Sequence, residues 1–115
     1  MSKENYVFTD FSAILPVPCP CGMSRRAYIE ESGREVSFHV VDIKVDAKYH
    51  YHKFHSEIYY ILEGEGFLEL DGRKLSVKPG ISVLIKPGCR HRAIGTLKVI
   101  NVSLPAFDPE DEYFD

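Results

Sequence analysis

Short strand-forming segments separated by glycine and proline turns dominate the middle of this chain. Asp71-Gly72, Pro79-Gly80 and Pro87-Gly88 are turn pairs, because their residues tolerate or preset the backbone angles of tight turns. The segments between them are rich in Val, Ile, Leu and Tyr, and no segment has a convincing period of 3.6 residues. Short strands with turns every 8–12 residues or so predict an all-β sandwich or barrel.

The predicted strands lie between residues 25 and 104. Val36–Val45 is β-branched and partly alternating, and Arg25–Glu30 ends at the turn signal around Gly33. The residues Gly64-Glu65-Gly66 are expected to break one strand from the next. The remaining predicted strands are Tyr49–Lys53, Glu57–Glu63, Phe67–Leu70, Lys74–Val77, Ser82–Ile85 and Lys98–Leu104.

The length of 115 residues is enough for one compact domain and no more. Within that single domain, residues 1–24 are predicted to form an N-terminal arm and loop that pack on a barrel of residues 25–105. Residues 106–115 form an acidic tail, which we expect to be either poorly ordered or docked on the barrel.

Charge and composition exclude several classes of function. The net charge is −3 and the basic residues are dispersed, which argues against nucleic-acid binding. No apolar run reaches the roughly 18 residues of a membrane helix, and the N-terminus lacks a signal-peptide layout, so we expect a cytoplasmic protein. Three cysteines, Cys19, Cys21 and Cys89, allow no complete disulfide framework, and the sequence assigns them no role.

Three histidines and a glutamate form the candidate site. In a strand alternate residues share a face, so His50 and His52 point the same way and can bind one cation. A turn at residues 54–56 would bring Glu57 back from the start of the next strand, and His91 begins another strand after Pro87-Gly88. These three nitrogens and one carboxylate suit a single divalent transition metal, namely Fe, Mn, Zn, Ni, Co or Cu.

Each histidine alone has a plainer explanation. A His-x-His pair on a strand is more often structural than metal-binding. His55 lies in the predicted turn and is expected to be solvated, although it is also the alternative to Glu57 as a ligand. The complete set of four with its neighbouring glycines favours a metal site.

The glycine-bearing spacing resembles the cupin family. His50-x-His52-x4-Glu57-x6-Gly64 is similar to the first cupin motif, and Gly80-x5-Lys86-Pro87-Gly88-x2-His91 is similar to the second. The resemblance spans about residues 36–104. The chain departs from the family pattern at Lys44, Lys86 and Gly95, none of which is a ligand position in the family.

This resemblance implies a double-stranded β-helix, or jelly-roll barrel, in a single domain. It also implies a metal ion held inside the barrel. Single-domain cupins of this length are often dimers, and they include sugar and sugar-phosphate isomerases, dioxygenases and decarboxylases. The fold does not choose among these activities.

Strand alternation also proposes residues beyond the ligands. Tyr59 shares the inner face of Glu57 and is a candidate to orient or protonate a substrate oxygen, the alternative being a core aromatic. His39 is a candidate substrate residue or base, the alternative being a structural histidine. Arg26, or its neighbour Arg25, is a candidate to bind a carboxylate or phosphate at the barrel mouth, the alternative being a solvated pair.

We therefore expect a metal-dependent enzyme that acts on a small oxygenated metabolite, with isomerase- or epimerase-like chemistry preferred. The alternatives are a dioxygenase of a diketone or phenolic substrate, a cupin that binds a small ligand without turnover, and a partner domain of a larger assembly. The expected partner is a small molecule, not nucleic acid or a membrane. The outer apolar face formed by Ile58, Tyr60 and Leu62 needs cover from a second sheet edge or from a partner subunit, and we expect a homodimer.

Overall fold

The computed structural model describes residues 4–20, 22–44 and 47–115. Cys21 and the predicted strand end at Val45 lie outside the described residues. The described strands are β1 Val17–Cys19, β2 Gly22–Ala27, β3 Ser37–Ile43, β4 Ser56–Leu70, β5 Arg73–Val77, β6 Ser82–Ile85 and β7 His91–Leu104. Two short 3-10 helices, Phe11–Ala13 and Pro109–Asp111, lie near the ends of the described chain.

One antiparallel sheet contains all seven strands. Its order is β1-β2-β3-β7-β4-β5, and β6 pairs with the first half of β4. The two long strands, β4 and β7, pair along almost their whole length, from Ser56 opposite Leu104 to Leu70 opposite His91. This architecture confirms the predicted all-β jelly-roll barrel.

Alternating side chains form the core of the barrel. Strand β3 has alternating buried and half-buried positions, so Val41 and Ile43 point inward. They pack with inward residues of the two long strands, including Ile61, Leu68 and Val99. The same alternation places polar side chains on the inner face at the other end of the barrel, where the candidate site lies.

The predicted break at Gly64-Glu65-Gly66 is wrong, because β4 continues through it with a bulge between Ile61 and Glu63. The glycines allow a close approach to β7. A Cβ at Gly64 would lie 2.3 Å from the Thr96 carbonyl oxygen, and φ there is +90°. The glycines therefore permit the long strand to continue.

Three other predicted strand ranges also differ from the structure. The strand predicted at Arg25–Glu30 is β2, Gly22–Ala27, and it pairs with β1, so part of the predicted arm belongs to the sheet. The strand predicted at Lys98–Leu104 begins earlier, at His91. The segment predicted as the strand Tyr49–Lys53 makes only isolated bridges at His50 and Tyr51.

The acidic tail docks on the barrel. Asp111 is buried, and Tyr113 forms an antiparallel bridge with Tyr51 beside the candidate ligands. Among the described residues, none of the helices is long and apolar enough to span a membrane.

Candidate metal centre

The four predicted ligands lie together in the barrel. His50, His52, Glu57 and His91 each offer a ligand atom, and these atoms all lie within 4.8 Å of one another. All four side chains are buried, with at most 6% of any of them exposed. The cluster could therefore hold one metal ion, and we call it the cage.

Local backbone contacts position the cage. His91 opens β7, and its backbone exchanges two hydrogen bonds with His50, at 2.8 and 3.1 Å between nitrogen and oxygen. Gly88 donates its N–H to the carbonyl oxygen of His52, which ties the second motif to the first. Glu57 lies near the start of β4. The cage therefore joins one loop, which carries His50 and His52, to the starts of two strands.

Hydrogen bonds to backbone carbonyls orient two of the imidazole rings. Nδ1 of His50 lies 2.7 Å from the carbonyl oxygen of Lys48, and Nδ1 of His91 lies 2.9 Å from that of Cys89. With Nδ1 held by a carbonyl oxygen, Nε2 of each ring is the nitrogen that a metal would use. This arrangement of donors fits a divalent transition metal.

Burial and charge control the protonation of the cage. Burial would raise the pKa of the Glu57 carboxyl, but hydrogen bonds from His52 and His91 outweigh it and hold that pKa well below its usual range. Burial, together with the neighbouring His91, lowers the pKa of His50 to about 4. At neutral pH the cage thus offers an ionised carboxylate and a neutral His50, as metal binding requires.

Asn101 is a contributor that the sequence reasoning missed. Its Nδ2 donates a hydrogen bond of 2.6 Å to Oε2 of Glu57, while Oε1 lies 3.1 Å from nitrogens of His52 and His91. Asn101 thus fixes the plane of the carboxylate. A signal was available, because alternation along β7 puts this polar residue on the inner face with Val99.

The expectation that His55 is solvated is wrong. His55 is 2% exposed, and its Nδ1 lies 3.0 Å from Oδ2 of Asp111. Its ring lies against that of His52, with 3.9 Å between centroids and a tilt of 33° between the ring planes. His55 lies beside the cage but is not one of its four residues. Asp111 is 56 residues away in the sequence, so no local pattern could predict its contact with His55.

A row of polar residues crosses four neighbouring strands beside the cage. Arg26 pairs with His39, His39 with Asn101, and Asn101 with Tyr59. Residues that lie opposite each other share a face of the sheet. All four line a cavity of about 30 Å³ that also reaches His50 and Glu57. That volume admits about two water molecules, so a larger ligand requires the walls to move.

Two buried polar atoms in this cavity have no hydrogen-bond partner among the described residues. They are Nε of Arg26, a donor, and Oδ1 of Asn101, an acceptor. Buried polar atoms without partners are rare in proteins, so each calls for an explanation. The Arg26 guanidinium is also held 4.4 Å from the centroid of the Phe107 ring. A polar ligand in the cavity would satisfy both atoms.

The other predicted site residues have distinct surroundings. Nε2 of His39 lies 2.7 Å from the Ser37 hydroxyl, and Nδ1 lies 3.5 Å from that of Ser24, which favours a structural role. Burial, helped by the Arg26 charge, lowers the pKa of His39 to about 4. Tyr59 is 6% exposed, and its ring centroid is 6.1 Å from that of His91. The substrate roles of these residues stay predictions.

Arg25 and the described cysteines lie less directly on the site. Arg25 donates from Nε to the Ile14 carbonyl and lies 3.6 Å from the Asp42 carboxylate, so Arg26 is the arginine of the cavity. Cys19 lines the cavity, and both Cys19 and Cys89 pack against the hydrophobic core.

Comparison with known proteins identifies the family. A family model described as a cupin domain matches residues 38–102, which contain the whole cage. The chain belongs to the cupin family. This cupin is 36% identical to a crystallised protein from Planctomyces limnophilus, over 98% of this chain and 100% of that chain, with a TM-score of 0.89.

Two further similarities are more limited. The cupin is 42% identical to an uncharacterised protein of Methanocaldococcus jannaschii over 66 residues. The matched region covers 54% of this chain and 53% of that protein. The chain thus spans about half the length of this curated relative. It also resembles the Streptomyces nucleoside dehydratase Pac13 at 15% identity, over 97% and 92% of the two chains, with a TM-score of 0.80. That likeness shows the fold alone.

Proposed function

We propose that this cupin is a metal-dependent enzyme that acts on a small oxygenated metabolite with an anionic group, by isomerase- or epimerase-like proton transfer. One observation carries the proposal. The cage opens on a cavity whose walls hold an unpaired donor on Arg26 and an unpaired acceptor on Asn101. A metal site next to unsatisfied polar atoms is suited to a ligand with several oxygen atoms.

The proposed cofactor is one divalent transition metal, held by the four cage residues. When bound, such an ion would act as a Lewis acid toward a carbonyl or hydroxyl oxygen placed beside it. The oriented rings of His50 and His91 and the ionised Glu57 support this assignment.

Side chains of the cavity would bind and orient the substrate. Arg26 would bind the carboxylate or phosphate of the substrate, since its guanidinium is prepositioned on Phe107. The Tyr59 hydroxyl would orient or protonate a substrate oxygen. His39, engaged with two serines, would hold the shape of the wall beside Arg26. A metabolite is larger than this cavity, so it would bind with movement of the walls and would displace the water there, which strengthens these interactions.

Metal content tests the first half of the proposal. Protein purified without added metal is analysed by mass spectrometry and then titrated with Mn, Fe, Co, Ni, Cu and Zn. We expect one ion per chain, and we expect the His50→Ala and Glu57→Ala variants to lose it. His55→Gln is the matched control, because His55 lies beside the cage and should leave the metal in place. Retention of metal in both alanine variants would show that the ligand assignment is wrong.

Proton exchange tests the second half. A panel of hydroxy-keto acids and sugar acids is incubated with the metal-loaded protein in D2O, and loss of the C–H signal next to the carbonyl is followed by NMR. We expect exchange with at least one compound and a large loss of rate in Arg26→Gln. Oxygen consumption without exchange would reject the isomerase chemistry in favour of a dioxygenase.

A further inference from the structure

The C-terminal segment, residues 111–115, runs alongside the cage. Tyr113 donates its N–H to the carbonyl oxygen of Tyr51 and accepts the N–H of Tyr51 in return, at 3.0 Å each. The two residues form an antiparallel bridge, and their rings stack with 5.4 Å between centroids. The tail thus pairs side by side with the segment that carries two of the cage histidines.

Alternation around this bridge decides which tail residues face the cage. The flanking positions, Glu112 and Phe114, lie on the opposite side from Tyr113, which is the side of His50 and His52. The contact of Phe114 with His50, at 5.9 Å between ring centroids, agrees with this placement. Glu112 therefore faces His52 across the bridge.

The charges around Glu112 agree with that direction. Its half-buried carboxyl interacts electrostatically with His52, Glu57, His91 and Arg26. These residues belong to the cage and to the cavity wall, so the carboxyl lies within range of both. Burial raises the pKa of Glu112 above its usual value.

We propose that Glu112 is a specificity-determining residue of the site, because the tail directs its side chain toward the cage. A carboxylate facing the cage accepts hydrogen bonds from hydroxyl or amine groups and repels a second anion. The site then favours metabolites with one anionic group, bound by Arg26, and hydroxyl or amine donors directed toward Glu112. This inference rests on the proposed metal-dependent function.

Cobalt-loaded protein and two small probes test it. Lactate carries one carboxylate and a hydroxyl donor, whereas malonate carries two carboxylates. The affinity of each is measured by titration of the visible absorption of Co(II) in the unchanged protein and in Glu112→Gln. We expect the affinity ratio to shift about tenfold toward malonate in the variant, the order of effect of removing one nearby charge in a partly solvated site. Glu110→Gln is the matched control, since this exposed glutamate lies two residues away, and it should leave the ratio unchanged.

The controls separate the two proposals. Cobalt binding together with an unchanged affinity ratio in Glu112→Gln would overturn the role of Glu112 and leave the metal site intact. Equal shifts in Glu110→Gln and Glu112→Gln would also overturn it, because the effect would then come from general charge. If the unchanged protein binds no cobalt, the proposed function fails and this inference fails with it.

Discussion

The two oxygens of the Glu57 carboxylate have different partners. Oε1 faces nitrogens of His52 and His91, and Oε2 accepts the hydrogen bond from Asn101. One oxygen is therefore directed into the cage while the other is held from the neighbouring strand. Outer hydrogen bonds of this kind orient a ligand and contribute to metal affinity.

Removal of the Asn101 amide should weaken metal binding. In Asn101→Ala the Glu57 carboxylate loses its donor, and we expect the metal affinity to fall by about 10–100-fold. A competition titration against a chelator measures the affinity. Asn5→Ala, on the exposed N-terminal arm, is the control and should bind metal as before. Equal affinities in all three proteins would exclude an orienting role for Asn101.

The protein should lose stability in acid because His39 takes up a proton more readily in the unfolded state. Its pKa is about 4 in the folded protein and about 6.5 when unfolded, so the unfolded state binds the extra proton between these values. Stability is therefore full above about pH 6.5 and is lost as pH falls toward 4, at up to about 1.4 kcal/mol per unit for this group. Urea unfolding of chelator-treated protein at pH 7 and 4.5 measures the loss. His39→Gln should show a smaller loss, and an equal one would contradict the prediction.

The cage could be predicted from sequence because its information is mostly local. His50 and His52 need only the two-residue alternation, and Glu57 and His91 need only turns beside them. Glu112 faces the cage because its neighbour Tyr113 forms a bridge with Tyr51, 62 positions earlier, and no local sequence pattern predicts that pairing. Sequence analysis therefore found the site residues that belong to local motifs and missed the one that reaches the cage through long-range pairing.

Strand β4 can continue past residue 64 because its glycines allow a close approach to β7. An alanine at Gly64 would bring a Cβ within 2.3 Å of the Thr96 carbonyl at a positive φ, so Gly64→Ala should destabilise the protein by about 2–4 kcal/mol. Gly72 is the matched control. It has φ +85° but open space around it, and Gly72→Ala should cost only about 1–2 kcal/mol. Urea denaturation compares the two, and equal losses would contradict a steric role for Gly64.

The loop between His52 and Glu57 depends on the tail. The Asp111 carboxylate accepts N–H groups of Lys53, Phe54 and His55, so these turn amides are satisfied by a residue far along the chain. The turn predicted at residues 54–56 is a bend at residues 53–54, and Ser56 already belongs to β4, while the burial of His55 was not predicted. The turn follows from local residues, whereas the burial follows from the docked tail.

Asp111→Ala should loosen this loop. Three backbone donors and the His55 ring lose their acceptor, and we expect a loss of about 3 kcal/mol. Asp108→Ala, which removes only the cap of the short helix, should cost about 1 kcal/mol. Hydrogen exchange gives the specific readout, since the amides of residues 53–55 should lose protection in Asp111→Ala alone. Unchanged protection there would contradict the anchoring role.

At the scale of the whole molecule, we propose a homodimer formed through the outer face of β4 and its neighbours. Tyr60 and Leu84 are 43% and 57% exposed, and Ile58 lies opposite Leu84 across the strands. Apolar residues grouped on one sheet face favour burial against a second copy. Light scattering at micromolar concentration should give twice the chain mass, and Leu84→Lys should reduce it. Leu15→Lys, on the exposed arm, is the control. A monomeric mass for the unchanged protein would reject the dimer.

The β4–β7 ladder has a consequence for the order of folding. Glu57 and His91 lie 34 positions apart, and the ladder that fixes the start of β7 ends at the pair Leu70 and His91. Contacts between distant segments form slowly, because the intervening chain must first be closed. His91, the last cage residue in the sequence, therefore reaches its position only when the chain between β4 and β7 has closed. The rate at which refolding protein acquires a metal-competent cage should therefore report the completion of the barrel, not its first collapse.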